Sequence, residues 1–141
     1  MRFMMLMIPG VYQSGQTASL GESFAPDPEM MATMMKYNGE LNRAGVLISL
    51  DGLHPQSKGA RVAFRDGTPT VTDGPFVETK EVVGGYWLIQ VASKEEAVDW
   101  AKRCPAQEGD VIEIRQLFEL SDFPPEAQKL YDPDLHAQLA Q

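Results

Sequence analysis

The 141-residue sequence predicts an α+β domain. Three observations carry that prediction. Short apolar runs of strand length recur along the chain, two segments between them place apolar residues at helical spacing, and one Asp-Gly pair is flanked by alternating residues. Their order is β-α-β, hairpin, β-α-β, over residues 1–120, with a polar tail at 121–141.

The first strand is read at 2–8 (RFMMLMI), closed by Pro9-Gly10. Apolar side chains at successive positions imply that both its faces are covered. Residues 10–26, rich in Gly, Ser, Gln and Thr, predict a long loop. Asp27-Pro28-Glu29 opens the first helix, with Asp27 as N-cap and Pro28 in the first turn. Met30, Met34, Tyr37, Leu41 and Ala44 make its apolar stripe, Met31 and Met35 widen the stripe beyond one side, and Gly45 ends it. Methionines at this spacing read as core filler.

Residues 46–50 (VLISL) predict the second strand. Residues 61–65 and 68–72 flank Asp66-Gly67, a two-residue hairpin signal, and Pro69 puts the return arm at an edge. Residues 86–91 (YWLIQV) follow Gly84-Gly85 as another apolar strand. Ser93 to Glu96 reads as a capping box, and Ala97, Trp100, Ala101 and Cys104 as the stripe of the helix it starts, ended by Pro105. Residues 111–117 (VIEIRQL) give the last strand, Ile112 and Ile114 on one face, Glu113 and Arg115 on the other. The Pro124-Pro125 pair suggests at most one short helix in the tail.

This order closes as a ferredoxin-like split βαβ fold with an inserted hairpin, two helices on one face of an antiparallel sheet. One sheet face is then left without helices, although the strands at 2–8 and 86–91 are apolar on both sides. A second copy packed sheet to sheet would cover it, so a homodimer of the dimeric α+β-barrel kind is expected.

Composition narrows the function. Hydrophobic residues are 43% and charged residues 23%, which is globular rather than disordered. The net charge of −8 repels polyanions, so nucleic acid is not an expected partner. A single cysteine, Cys104, excludes an internal disulfide framework and fits a reducing compartment. The apolar start is far shorter than the ~18 residues of a membrane span, and a cytoplasmic protein without membrane attachment is the expectation. No Gly-rich phosphate loop, no His/Cys pair at metal-ligand spacing and no G-x-S-x-G elbow is found, so no cofactor or metal is expected.

The most distinctive stretch is Asp73-Gly74-Pro75-Phe76-Val77-Glu78-Thr79-Lys80-Glu81, followed by Gly84-Gly85-Tyr86. With Gly52-Leu53-His54-Pro55, Ser57 to Val62, Ala101 to Pro105 and Glu113-Ile114-Arg115, all in order, it resembles the DGPF, or YCII-related, family. The resemblance covers roughly residues 1–118. It implies a ferredoxin-like fold, a dimer and a functional link to sigma factors, and it implies no settled reaction. Members with a proposed catalytic pair use His and Asp, the histidine associated with the first helix. Residues 27–44 hold no histidine, so His54 with Asp73 stands here as a relocated analogue.

Each candidate residue has two readings. Asp73 to Phe76 is a stiff turn, Asp73 bonding backbone amides, Gly74 taking a positive φ and Phe76 plugging a core gap, or it sets Asp73 at a pocket edge. Glu78, Lys80 and Glu81 are a solvated cluster, or carboxylates holding Lys80 as a charged anchor. His54 is a loop histidine, or the base for proton transfer. Lys58, Arg61 and Arg115 are the positive set, with Tyr86 beside them in the signature. Arg115 pairs with Glu113, or meets a small anionic ligand. Arg103 offsets the helix dipole. The leading expectation is a dimeric domain with a small-ligand cavity and a binding or regulatory role. The alternatives are a cofactor-free acid/base enzyme acting on a small anionic organic molecule, with His54 as base, Asp73 as orienter and Lys80 or Arg115 as anchor, and a purely structural partner.

Overall fold

In the computed structural model, which describes residues 1–10, 27–74, 76 and 81–134, the apolar runs form one four-stranded antiparallel sheet in the order β2-β5-β1-β6. The strands are β1 (Arg2–Ile8), β2 (Leu47–Gly52), β5 (Gly85–Gln90) and β6 (Val111–Gln116). Helices α1 (Pro28–Arg43) and α2 (Lys94–Lys102) connect them, and β3 (Ala60–Arg65) with β4 (Thr68–Asp73) make a separate two-stranded ribbon. This is the split βαβ, ferredoxin-like arrangement with an inserted hairpin. Of the loop predicted at 10–26, all but Gly10 lies outside the described residues.

Local chemistry sets the boundaries. Asp27 accepts from the Glu29 amide at 3.0 Å and Pro28 sits in the first turn, as the sequence predicts. Gly45, at φ 75°, ends the helix in the left-handed region. Ser93 Oγ accepts from the Glu96 amide, but the Glu96 carboxylate reaches back to the Ala92 amide rather than to Ser93, one residue beyond a standard capping box. Asp66 (φ 51°) and Gly67 (φ 75°) both take the positive φ that a two-residue hairpin of the I′ type demands. The tail carries a 3-10 turn at Leu120–Asp122 and a one-turn helix α3 (Pro125–Gln128).

The core lies between the helices and one sheet face. Phe3 and Met5 of β1, Trp87 and Ile89 of β5, Val91, Tyr37 and Leu41 of α1 and Ala97 of α2 are buried there. Tyr37 meets Trp87 edge to face, ring centroids 5.9 Å apart. The Tyr37 hydroxyl donates to the Trp100 carbonyl at 2.7 Å, and the Trp87 indole N–H donates to Asn38 Oδ1 at 2.7 Å. One aromatic pair therefore ties both helices to the central strands.

The methionine stripe of α1 is narrower than its spacing predicts. Tyr37 and Leu41 are buried and Met34 packs beside the core, whereas Met30, Met31 and Met35 are 45%, 47% and 68% exposed and Ala44 is exposed. Of the stripe, only Met34, Tyr37 and Leu41 belong to the core or pack against it.

The opposite sheet face carries Met4, Leu6, Tyr86 and Leu88, all half-buried, with no helix over them among the described residues. Register sets Asp51, Tyr86, Leu6 and Glu113 in one row across this face, and Ser49, Leu88, Met4 and Arg115 in the next. The edges of the face are charged and its centre is apolar.

Ile89→Ala removes a side chain with no exposure at the centre of this core. It should cost about 2–5 kcal/mol, read as a lower urea midpoint at unchanged slope.

Candidate functional site

Where β2 leaves the sheet, the chain runs through Leu53, His54 and Pro55 into a single 3-10 turn, Gln56–Lys58. The Lys58 amide donates to the Pro55 carbonyl and the Gly59 amide to the Gln56 carbonyl. The far end of the hairpin returns against this turn, and the Gly74 amide donates to the Gly59 carbonyl at 3.0 Å. A Cβ on Gly74 would collide with the Gln56 carbonyl oxygen and lie 2.7 Å from its carbon. Gly74 is not among the positive-φ glycines, so the sequence expectation is corrected: close approach of two backbones, not backbone conformation, demands glycine here.

This turn walls a hollow of about 320 Å³ lined by His54, Lys58, Phe76, Val82 and Val83. Phe76 does not plug the core; it forms part of this wall, and the Arg61 guanidinium lies 4.3 Å from its ring centroid. The hollow thus combines an apolar lining with an ammonium and an imidazole. Such a lining suits a small organic anion, whose body meets Phe76 and the valines while its charge meets Lys58.

A second, smaller hollow of about 210 Å³ lies one step along the same strand pair, lined by Met7, Met34, Asn38, Leu50 and Trp87. The two are separated by the end of the β2–β5 ladder, where the Leu53 amide donates to the Gly84 carbonyl and the Gly84 amide to the Met7 carbonyl. A Cβ on Gly85 would approach the Asp51 carbonyl oxygen to 3.0 Å, so the Gly84-Gly85 pair lets the strands close tightly. Trp87 occupies Asn38 Oδ1, which leaves the amide NH₂ of Asn38 as its donor toward a ligand oxygen.

The residues singled out in the sequence fall in two places. His54 and Lys58 line the larger hollow, and Arg61 backs it through Phe76. Tyr86 and Arg115 are instead on the helix-free sheet face, on β5 and on the edge strand β6. Asp73 ends β4 opposite Ala60 and is exposed; among the described residues no hydrogen bond joins it to His54 or to a backbone amide. Arg115 makes no ion pair with Glu113 or any other described residue. Glu81 has a positive φ of 63° beside the buried Val82. Glu78 and Lys80, like Pro75, lie outside the described residues. Asp51 and Asn38 escape a reading of the sequence. Asp51 becomes visible only through strand register, although the buried indole of Trp87 signals that an acceptor such as Asn38 must exist.

The Tyr86 hydroxyl donates to Asp51 Oδ2 at 3.0 Å, and this bond, with the carboxylate's charge, holds the Tyr86 pKa above its usual value. Burial pushes the Cys104 thiol up to about 11, with Asp110 adding to the effect, so it is an inert core group and not a nucleophile at neutral pH. Arg103 does more than meet the helix dipole: it pairs with Glu40 at 2.9 Å and stacks on Trp100. Among the described residues no group of three or more His, Cys, Asp or Glu is placed to hold a metal ion, and no helix is long and apolar enough to cross a membrane.

Residues 1–121 match the family model of the YCII-related domain. The chain is also similar to the uncharacterized protein R00369 of Rhizobium meliloti (strain 1021), 36% identical over 76 residues, which cover 54% of this chain and 61% of that relative. The match thus spans less than two thirds of the relative's length.

Two outcomes follow from this geometry. Gly74→Ala should destabilise the protein by about 1–3 kcal/mol through overpacking against the Gln56 carbonyl, measurable by urea denaturation. For Tyr86, the raised pKa means that the Asp51 bond stabilises the fold fully below the ordinary tyrosine range and loses that contribution as pH rises through the shifted pKa. Asp51→Asn should lower the tyrosinate inflection of Tyr86, followed by absorbance at high pH with Tyr86→Phe as reference.

Proposed function

We propose that this chain, which belongs to the YCII-related domain family, is a small-molecule-binding domain that works as a homodimer. The observation that carries the reading is the hollow in which His54 and Lys58 stand beside the apolar lining of Phe76, Val82 and Val83. Its volume of about 320 Å³ is at the small end of ligand pockets, roughly 300–1,000 Å³. The ligand class it suits is a small carboxylate with an aromatic or branched body. Lys58 supplies the charge, and the His54 imidazole supplies a second hydrogen-bonding group.

Binding rather than turnover is favoured by Asp73. An imidazole acting as base is usually oriented by a partner on its other nitrogen, and Asp73 is not bonded to His54 and does not line the hollow. The dimer is supported by the helix-free sheet face, where Met4, Leu6, Tyr86 and Leu88 form an apolar centre that a second sheet would cover. In that arrangement Arg115 and Glu113 lie at the rim of the interface.

Benzoate and isobutyrate are suitable probes. Either should raise the melting temperature in proportion to the logarithm of its concentration above Kd, with a mass-action stabilisation of about 2.7 kcal/mol at a hundred times Kd. Lys58→Ala should abolish the rise, and His54→Ala should weaken it. A rise that Lys58→Ala leaves intact would place the ligand elsewhere, and no rise with either probe would count against the reading.

A further inference from the structure

The hairpin presents an apolar side that its own chain does not cover. Register places Val62 opposite Val71 and Phe64 opposite Pro69, so these four share one face of the ribbon. Val62, Phe64 and Val71 are 52%, 80% and 64% exposed. A two-stranded ribbon on its own is marginal in water and needs packing on one face. Here the ribbon forms no ladder with the main sheet.

A second apolar surface lies beyond β6. Phe118, Leu120, Phe123 and Tyr131, with Arg2 and Glu119, enclose a hollow of about 250 Å³. The rings of Phe118 and Phe123 are 5.2 Å apart, and Phe118 is 72% exposed. This hollow is wide enough for one aromatic side chain.

Charge favours the match only modestly. Residues 56–73, the hairpin and its root, contain Lys58, Arg61 and Arg65 against Asp66 and Asp73, whereas residues 118–134 contain Glu119, Asp122, Glu126, Asp132 and Asp134 against Lys129 alone. Two copies of a chain with net charge −8 repel on average, and an arm with a small basic excess against an acidic end eases that repulsion locally.

Topology makes the contact reciprocal. The hairpin departs from the β2 edge, at the sheet end marked by Gly52, Gly85 and Ile8, while the Phe118 segment departs from the β6 edge at the end marked by Arg2 and Gln116. These are opposite corners of the sheet. A face-to-face two-fold along the other diagonal exchanges them, so both arm contacts form together and the Met4–Leu88 face is covered by the same operation.

We propose that the β3–β4 hairpin of each copy docks on the other copy, with Phe64 seated in the partner's hollow between the aromatic rings that follow β6. This inference rests on the dimeric reading above and adds the contact that fixes the arrangement. Two differently tagged full-length chains, each carrying Cys104→Ser, test it, one with Phe64→Cys and the other with Phe118→Cys. Mild oxidation of the mixture should give the mixed disulfide in preference to either homodisulfide. In sedimentation equilibrium, Phe64→Ser should weaken the dimer by at least about tenfold, while circular dichroism stays that of the wild type because Phe64 is exposed in the single chain. A wild type that remains monomeric at high micromolar concentration overturns the dimer and the arm together. A wild-type dimer that Phe64→Ser leaves unchanged, without a mixed disulfide, overturns the arm alone.

Discussion

Tyr37 and Trp87 each bring a polar hydrogen into the core, and a buried donor without an acceptor costs about 1–3 kcal/mol. Both are satisfied, one by the Trp100 carbonyl at the end of α2 and the other by Asn38 on α1. The cost of leaving either unpaired restricts how far the helices can slide over the sheet. The position of α1 then decides the rest: which methionines lie over strands, and where Asn38 and Met34 close the smaller hollow against Trp87. The described buried side-chain polar atoms all have partners, so this arrangement leaves no such debt elsewhere among them.

The sheet organises the molecule's charge as well as its core. Its helix face is apolar apart from Gln116 at the β6 end, while its other face grades from Met4, Leu6 and Leu88 at the centre to Asp51, Glu113 and Arg115 at the edges. An arginine that no described residue pairs is expensive to bury alone. Arg115 therefore biases any covering surface toward one that offers it a carboxylate or leaves it at the solvent rim.

Local signals were legible where one segment contains its own explanation. Asp27-Pro28, Gly45 and Asp66-Gly67 mark a start, a stop and a turn, and each does its predicted work. What the sequence hides is what depends on a distant segment. The Met30, Met31 and Met35 spacing is sound helix periodicity, yet burial requires a sheet beneath those turns, which the periodicity cannot see. Gly74 reads as a turn glycine until the Gln56 carbonyl is placed beside it. The basic set reads as one cluster, but Lys58 and Arg61 attach to the hairpin root while Arg115 lies on the far edge strand. The pairing of Asp51 with Tyr86 needs the β2–β5 register, which an irregularity between Leu47 and Ser49 makes harder still to read.

The backbone clasp between Gly59 and Gly74 has a mechanical meaning. It joins the root of the hairpin to the turn that carries Lys58, so the arm and the larger hollow share a fulcrum. If the arm docks as proposed, a molecule that tilts that fulcrum on entering the hollow would change the arm's grip. Thermodynamic linkage then requires the grip to change the molecule's affinity by the same factor. In that sense the glycine of the signature is a fastening, and a methyl group there, driven into the Gln56 carbonyl, would prise the two backbones apart.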